Sequence, residues 1–269
     1  MVIKHFNLND NFKKIIERKL KEKCEIKQIK SGWTNFVFEA KTTNKCYIFR
    51  FPRNDFFSNA LVKEAKFSMF ISKHIEIKTP NLKLCYNKKR PYSFHEKIDG
   101  QTLSSCMNSL REEETQKICD DLCNFLLSFQ KLNCYYLGRT SCFLDDLSFV
   151  CGKYYNLNKH KKLKSLEQKK LVLCHGDFNP GNILLDKNKN FIGVLDFAFV
   201  SYSHPMCDIS RLIQRMPKCF NKIFISTCFK HFKNDFDLKI IKKLSKMWQY
   251  VEKKYIAYIK ENHKDIVFL

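Results

Sequence analysis

Residues 173–185 of the chain read LCHGDFNPGNILL, an apolar run that is broken by a polar loop and then resumes. Asp177 stands in this loop, Asn182 follows it five positions later, and a second carboxylate, Asp196, ends the next predicted strand. Because all three stand at the ends of short apolar segments, we expect them to converge at one place. Phosphoryl transfer needs this inventory: a carboxylate to orient a hydroxyl and accept its proton, and an amide and a second carboxylate to hold Mg²⁺.

The same three residues admit an explanation that needs no chemistry. A carboxylate in a β-turn and an amide that caps a helix would simply satisfy neighbouring backbone groups. For His175-Gly-Asp177 alone, that structural interpretation is preferred. The common register of Asp177, Asn182 and Asp196 favours the functional interpretation.

The segment from His175 to Ala198 resembles the signature of the aminoglycoside phosphotransferase and choline kinase superfamily. That signature is HGDxxxxN followed by an (I/L)DF or (I/L)DW segment, and it shares its order and its Asp-to-Asn spacing with the protein-kinase catalytic loop. The resemblance covers nearly all of the chain and is strongest to 2″-type aminoglycoside phosphotransferases. It implies an α+β, protein-kinase-like two-lobed fold. A nucleotide-binding lobe with an antiparallel sheet and a helix would cover 1–94, a hinge 95–100, and a larger, mainly helical catalytic and acceptor-binding lobe 101–269.

The resemblance also implies roles for particular residues. Asp177 would be the catalytic residue that orients and deprotonates the acceptor hydroxyl, and Asn182 and Asp196 would be the metal ligands. The family's phosphate-binding cation falls on Arg50 in the third predicted strand, and Glu64 stands where the family has the helix acid that pairs with it. Taken alone, a strand Arg and a helix Glu are more typical of solvated surface groups, so the Arg50–Glu64 pair is a prediction.

Two further segments resemble nucleotide-binding parts of the family. Ser31 opens the segment SGWTNFVF, which would form a hairpin turn over the phosphates of a nucleotide. The inter-lobe segment 92–100 would offer its backbone to the nucleobase through Phe94, Glu96 and Ile98. An ordinary hairpin turn and a strand followed by a turn are the structural alternatives.

Hydrophobic periodicity predicts a strand-rich N-terminal part and a mainly helical remainder. Helices are expected over 59–74, 113–133 and 158–170, and a hairpin over 183–185 and 191–195. His175 is expected to brace the loop. Asp208 falls on a structural acid of the family, so the resemblance implies that it supports the same loop.

The cysteines and the apolar runs bear on the cellular setting. The chain has 13 cysteines but no Cys-x-x-Cys pair, and its eight histidines are scattered, so the sequence has no zinc pattern. Many thiols beside apolar residues are typical of a reducing compartment, and we expect a cytoplasmic protein. No apolar run approaches the ~20 residues of a membrane span, and the N-terminus does not resemble a signal peptide. We therefore expect a soluble protein without a membrane partner, either a monomer or a weak dimer.

The net charge of +22 suggests nucleic acid as a possible partner. The lysines are spread along the chain, however, without an arginine-rich arm, and this favours a solvated basic surface. Nucleic acid is not expected as a partner.

The residues that would bind the acceptor give a mixed signal. Aminoglycosides are polycations, yet residues 197–269 contain 14 Lys and Arg against six Asp and Glu. Acidic residues over 112–114 with Asp120 and Asp121 could attract a polycation, although helix capping explains them better. Four aromatic residues near the C-terminus could cage a choline-type ammonium, but their near-helical spacing is more typical of a core. They are Trp248, Tyr250, Tyr255 and Tyr258.

The sequence therefore predicts a Mg²⁺-dependent small-molecule kinase that moves the γ-phosphoryl group of ATP or GTP to a hydroxyl. It is most similar to antibiotic-modifying aminoglycoside phosphotransferases. A small-metabolite kinase acting on choline, ethanolamine or a sugar is the alternative among enzymes. A basic nucleic-acid-binding or scaffold protein on a kinase-like frame is the alternative outside them, and the retention of Asp177, Asn182 and Asp196 argues against it.

Overall fold

The computed structural model describes residues 8–29, 34–53, 55–134 and 171–262. The chain forms two compact units, Met1–Met69 with Pro80–Ile98, and Phe70–Thr79 with Asp99–Leu269. Residues 70–79 group with the second unit, and the predicted lobe boundaries, 1–94 and 101–269, stay predictions. The hinge over 95–100 stays a prediction. The predicted helix over 158–170 and the predicted nucleotide contact Ser31 lie outside the described residues.

The first unit is built on one antiparallel sheet. Its elements in chain order are α1 (Leu8–Leu20), β1 (Glu25–Ile29), β2 (Asn35–Lys41), β3 (Cys46–Pro52), α2 (Asp55–Ile71), β4 (Lys83–Asn87) and β5 (Arg90–Glu96). The five strands lie in the order β1-β2-β3-β5-β4, and every neighbouring pair is antiparallel. The helix predicted over 59–74 begins earlier, at Asp55, and ends at Ile71.

Aromatic side chains of the sheet form the core of this unit, and α1 covers it. Phe12, Ile15 and Ile16 recur at helical spacing, and this amphipathic pattern lays α1 on the sheet. The Phe12 and Phe51 ring centroids are 4.5 Å apart, and Ile16 is fully buried. Each buried side chain of this size contributes about 1.5–3 kcal/mol of transfer free energy. The sheet is thereby a firm support for polar residues that stand on β3 and β5.

The second unit combines short strands with longer helices. Its elements are β6 (Gln101–Thr102), α3 (Leu103–Cys106), α4 (Glu112–Gln130), β7 (Val172–Cys174), β8 (Ile183–Leu185), β9 (Phe191–Val194), β10 (Ser201–Ser203), α5 (Cys207–Arg215), α6 (Lys218–Phe232) and α7 (Leu238–Asn262). One small sheet pairs β10 with β7, and the other has the order β6-β8-β9. The predicted hairpin is confirmed, with its second strand one residue shorter than expected.

Helix α4 is the buried centre of the helical part. Glu114 Oε2 accepts a hydrogen bond from the Arg111 backbone N–H at 2.8 Å, which satisfies the N-terminal backbone of the helix and confirms the helix-capping explanation for this acid. Five apolar residues then recur with the helical period and are all buried. They are Ile118, Leu122, Phe125, Leu126 and Phe129.

The β8–β9 hairpin is held at both ends. At its turn, Asp186 Oδ1 accepts the backbone N–H groups of Asn188 and Asn190 at 2.8 and 2.9 Å. Along β9 the backbone of Lys78 comes so close that a Cβ on Gly193 would lie 2.5 Å from the Lys78 carbonyl oxygen. Only glycine permits this approach. The hairpin is therefore rigid, and it fixes the backbone at its open end, next to Asn182 and Asp196.

Helix α7 has one buried and one charged face. Ile241, Leu244, Met247 and Trp248 are buried, which confirms the core interpretation of Trp248, while Lys242 and Lys243 are exposed. The side chain of Tyr255 lies outside what the structure describes. None of the helices over the described ranges is long and apolar enough to cross a membrane.

Candidate active site

The polar loop begins directly after β7 and makes a turn that requires glycine. Gly176 has a φ of +81°, and a Cβ at this position would lie 2.0 Å from the Phe199 carbonyl oxygen. Farther on, Asn179 Oδ1 accepts the Gly181 N–H at 2.9 Å and starts a single 3₁₀ turn over Pro180–Asn182. The loop thus has one defined path between β7 and β8.

Asp208, at the start of α5, stabilises this loop through hydrogen bonds to its backbone. Its Oδ2 accepts the His175 N–H at 2.8 Å and its Oδ1 accepts the Gly176 N–H at 3.0 Å, and the residue is fully buried. Burial raises the pKa of the Asp208 carboxyl, while His175 and the two backbone donors act in the opposite direction. The prediction that Asp208 supports the loop is confirmed.

His175 uses both ring nitrogens to hold the loop. Its Nε2 donates to the Leu195 carbonyl oxygen at 2.9 Å, and its Nδ1 accepts the Asp177 N–H at 3.2 Å. Because Nδ1 accepts, Nε2 carries the proton. The ring is fully buried, which confirms the prediction that His175 braces the loop.

Asn182 and Asp196 flank the open end of the β8–β9 hairpin. Ile183 pairs with Val194, and beyond this pair the Leu195 N–H donates to the Asn182 carbonyl oxygen at 2.8 Å. Asp196 follows at once in the left-handed conformation, with a φ of +63°, which turns the chain sharply after β9. The two predicted metal ligands therefore stand on adjacent backbone positions of one rigid hairpin.

Asn182 also links this end of the hairpin to Asp177. Its Nδ2 donates to the Asp177 carbonyl oxygen at 3.0 Å and, at 3.5 Å, to the carboxylate Oδ2. With the amide hydrogens directed at Asp177, Oδ1 is the atom left to face a cation. The structure thus joins Asn182 directly to Asp177 and places Asp196 one residue beyond the backbone partner of Asn182.

Sequence reasoning missed a fourth member of this group, Arg211 on α5. Its Nε and Nη2 both lie 2.9 Å from Asp177 Oδ1, and the residue is 9% exposed. The one sequence signal is its position three residues after Asp208, which puts both side chains on the same face of a helix. That signal is weak without knowledge of what α5 packs against.

In the first unit, Arg50 and Glu64 form the predicted pair. Arg50 Nη1 on β3 lies 2.5 Å from Glu64 Oε1 on α2. The side chains are 12% and 1% exposed, so the pair is nearly removed from water. A buried pair of this kind is costly to break, because the partner left behind keeps its charge without compensation.

The predicted nucleobase segment is the end of β5. Phe94 pairs with Lys83, the first residue of β4, and its ring stacks on Phe49 at 5.1 Å in the core. Glu96 and Ile98 lie beyond the end of β4, so their backbone groups on that edge extend past the sheet. His95 Nδ1 donates to the Glu96 carbonyl oxygen at 2.9 Å. The nucleobase contacts of Phe94, Glu96 and Ile98 stay predictions.

Comparison with known proteins assigns the chain to a family. A family model described as phosphotransferase enzyme family, APH, matches residues 25–222. The match spans most of the chain and includes Arg50, Glu64, Asp177, Asn182 and Asp196. The chain belongs to this phosphotransferase family.

Solved structures agree on the fold of this phosphotransferase. A GDP complex of aminoglycoside 2'-phosphotransferase-IIIa has a TM-score of 0.75 at 13% identity, covering 94% of this chain and 97% of that chain. The ADP-bound aminoglycoside phosphotransferase APH(2'')-Ib has a TM-score of 0.69 at 16% identity, covering 94% of this chain and 96% of that chain. A macrolide 2'-phosphotransferase type I has a TM-score of 0.69 at 11% identity, covering 98% and 96%. These likenesses confirm the predicted kinase-like α+β fold.

The oxygen donors of the phosphotransferase fit a magnesium ion. Mg²⁺ usually binds through one or two protein carboxylates together with phosphate oxygens and water. Asn182 Oδ1 and the Asp196 carboxylate provide such a partial set. Over the described ranges, no cluster of three or more His, Cys, Asp and Glu residues forms an all-protein metal cage.

Proposed function

We propose that this phosphotransferase moves the γ-phosphoryl group of ATP or GTP to a hydroxyl of a small molecule in a Mg²⁺-dependent reaction. The observation that carries the proposal is the contact of Asn182 with Asp177 at the end of the β8–β9 hairpin where Asp196 follows the backbone partner of Asn182. The loop is fixed there by His175 and Asp208, so the three groups are pre-organised. Pre-organised polar groups are the main protein contribution to phosphoryl transfer.

In the proposed reaction Asp177 orients the acceptor hydroxyl and accepts its proton. Its carboxylate is 23% exposed, so an acceptor can reach it, and Oδ2 is the oxygen not held by Arg211. Asn182 and Asp196 would hold Mg²⁺. When bound, this ion would bridge phosphate oxygens and offset their charge.

Nucleotide binding is assigned to residues of the first unit. Arg50 would contact the phosphates, and Glu64 would fix the direction of the guanidinium through their 2.5 Å contact. The Ser31 turn would lie over the phosphates, and the backbone at Glu96 and Ile98, with Phe94 beside them, would contact the base. Solved neighbours bound to GDP, ADP and ATP support a nucleotide co-substrate.

For the acceptor we propose a hydroxyl-bearing antibiotic of the aminoglycoside type. Solved neighbours include complexes with kanamycin, streptomycin and gentamicin, and this supports the choice. The excess of Lys and Arg over 197–269 favours a less cationic acceptor, so a small-metabolite kinase remains the second candidate. Turnover on one acceptor class and not the other distinguishes them.

The setting proposed for the enzyme is the cytoplasm, as a monomer or weak dimer that does not bind nucleic acid. The eleven cysteines of the described ranges are all free thiols, which suits a reducing compartment. Sedimentation would measure the oligomeric state. A steep salt dependence of RNA or DNA binding at physiological ionic strength would instead favour the scaffold alternative.

The proposed function is tested by Mg²⁺-dependent phosphate transfer from ATP and from GTP. The acceptors are 4,6- and 4,5-disubstituted aminoglycosides, choline, ethanolamine and common sugars, with Asp177→Asn as the matched variant. We expect turnover by the parent protein. We expect Asp177→Asn to lower kcat by roughly 10²–10⁴-fold while nucleotide affinity changes little, because the amide cannot accept the hydroxyl proton and Asp177 is not a proposed nucleotide contact.

Several outcomes would contradict parts of this proposal. Parent-like turnover in Asp177→Asn would remove Asp177 from the mechanism. Turnover that persists after chelation of divalent ions would remove the magnesium ion. A parent protein that binds neither nucleotide would favour a scaffold on the same fold.

A further inference from the structure

Arg211 contacts Asp177 through two nitrogens that converge on one oxygen. Nε and Nη2 each lie 2.9 Å from Oδ1, whereas Oδ2 has only the 3.5 Å contact with Asn182 among the described residues. Rotation of the carboxylate would break both guanidinium contacts. The contact therefore distinguishes two otherwise equivalent oxygens, one held by the protein and one left for an acceptor.

Arg211 is itself held from several directions. Its Nη1 donates to Gln214 Oε1 at 3.0 Å and lies 3.6 Å from Glu252 Oε2 on α7. The guanidinium carbon lies 5.1 Å from the centroid of the Trp248 ring. A guanidinium fixed by an amide, a carboxylate and an aromatic face has little freedom to follow a moving partner.

Trp248 and Glu252 anchor these contacts to the core of the second unit. Trp248 is 2% exposed, and its Nε1 donates to Ser210 Oγ at 3.1 Å. Glu252 pairs with Arg215 as well as with Arg211. The orientation of Asp177 is thereby linked to α7, which begins 61 residues later in the chain.

We propose that Arg211 is a positioning residue that fixes Asp177 Oδ1 and so directs Oδ2 at the acceptor hydroxyl. This inference rests on the proposed phosphotransfer function and adds a residue to it. Misplacing a reacting group by about 1 Å can cost roughly 10²-fold in rate, so fixing one carboxylate oxygen has a measurable effect on turnover.

The test compares Arg211→Ala with Arg211→Lys and with the control Arg215→Ala. Arg215 lies on the same helix and shares Glu252, but within the described contacts it has no hydrogen bond or ion pair with Asp177. We expect Arg211→Ala to lower kcat about 10²-fold while the nucleotide KM stays within about threefold. Arg211→Lys should recover about tenfold, because it restores the charge but offers one donor nitrogen in place of two. Arg215→Ala should stay within about threefold of the parent.

A merely structural role for Arg211 would not lower kcat while leaving the nucleotide KM unchanged. It would also not be rescued by lysine. Equal losses in Arg211→Ala and Arg215→Ala, or parent-like turnover in Arg211→Ala, would overturn the inference. So would a Lys variant no better than the Ala variant at equal Tm. If Arg211→Ala does not fold, Arg211→Gln takes its place in the same comparison.

The assay also separates failure of this inference from failure of the proposed function. Phosphate release from Mg·ATP or Mg·GTP to water is measured beside transfer to the acceptor panel. A parent protein without either activity contradicts the proposed function, and the inference falls with it. An active parent with an equally active Arg211→Ala variant contradicts the inference alone.

Discussion

Gly176 is the residue on which the path of the catalytic loop depends. Its left-handed φ and the nearness of the Phe199 carbonyl exclude any side chain without backbone movement. The motif His-Gly-Asp thus has a steric reason as well as a chemical one. The two residues that flank this glycine can face in different directions, His175 into the core and Asp177 toward Arg211.

We predict that Gly176→Ala destabilises the protein by at least about 2–3 kcal/mol, because strain at a positive φ adds to a close backbone contact. The free energy of unfolding in urea measures this effect. Gly181→Ala is the control, since its Cβ would meet only the Asn179 side chain, at 3.0 Å. Similar losses in both variants would contradict the steric explanation.

At the scale of elements, α4 supports the end of the hairpin. Phe129 on α4 is fully buried, and its ring stacks on that of Phe197 with the centroids 6.2 Å apart. Phe197 follows the predicted metal ligand Asp196 directly in the chain. The helix and the hairpin thus share one core. A packing defect in α4 is therefore expected to shift the position of Asp196 as well as to lower the stability of the protein.

We predict that Phe129→Ala lowers the free energy of unfolding by about 3–5 kcal/mol, because it removes a large buried ring and leaves a cavity. Thermal or urea unfolding checks this value. Asn124→Ala on the exposed face of the same helix is the control and should change stability by no more than about 0.5 kcal/mol. A small effect of Phe129→Ala would mean that the core repacks around the gap.

At the scale of the whole molecule, stability should depend on pH through His95. Burial lowers the pKa of His95 to about 4, whereas the unfolded chain restores a value near 6.5. Between these values the unfolded state binds more protons than the folded state, so stability falls as the pH falls from about 6.5 toward 4. One such group contributes at most about 1.4 kcal/mol per pH unit.

We therefore predict that His95→Gln flattens the fall in unfolding free energy between pH 6.5 and 4. Urea unfolding at a series of pH values measures the slope. His74→Gln, at an exposed position, is the matched control for the substitution itself. An unchanged slope in His95→Gln would show that other groups cause the acid sensitivity.

Much of the fold and part of the site could be predicted from the sequence. Asp177, Asn182 and Asp196 were found because they lie on one loop and one short hairpin, where spacing along the chain sets spacing in space. The Arg50–Glu64 pair was predicted only through the family resemblance, since neither residue has a local pattern that distinguishes it from a surface charge. The β8–β9 hairpin and α4 could be predicted from the spacing of apolar residues along the chain.

By itself the sequence determined the polar groups, their order and the alternation of apolar segments that carries them. Only the tertiary structure showed that Arg211 reaches Asp177 and that Glu252 and Trp248 hold Arg211 in place. These contacts join residues 34 and more positions apart and depend on how α5 packs against α7. Periodicity states which face of a helix is buried but not which neighbour buries it, because burial of apolar surface is non-directional.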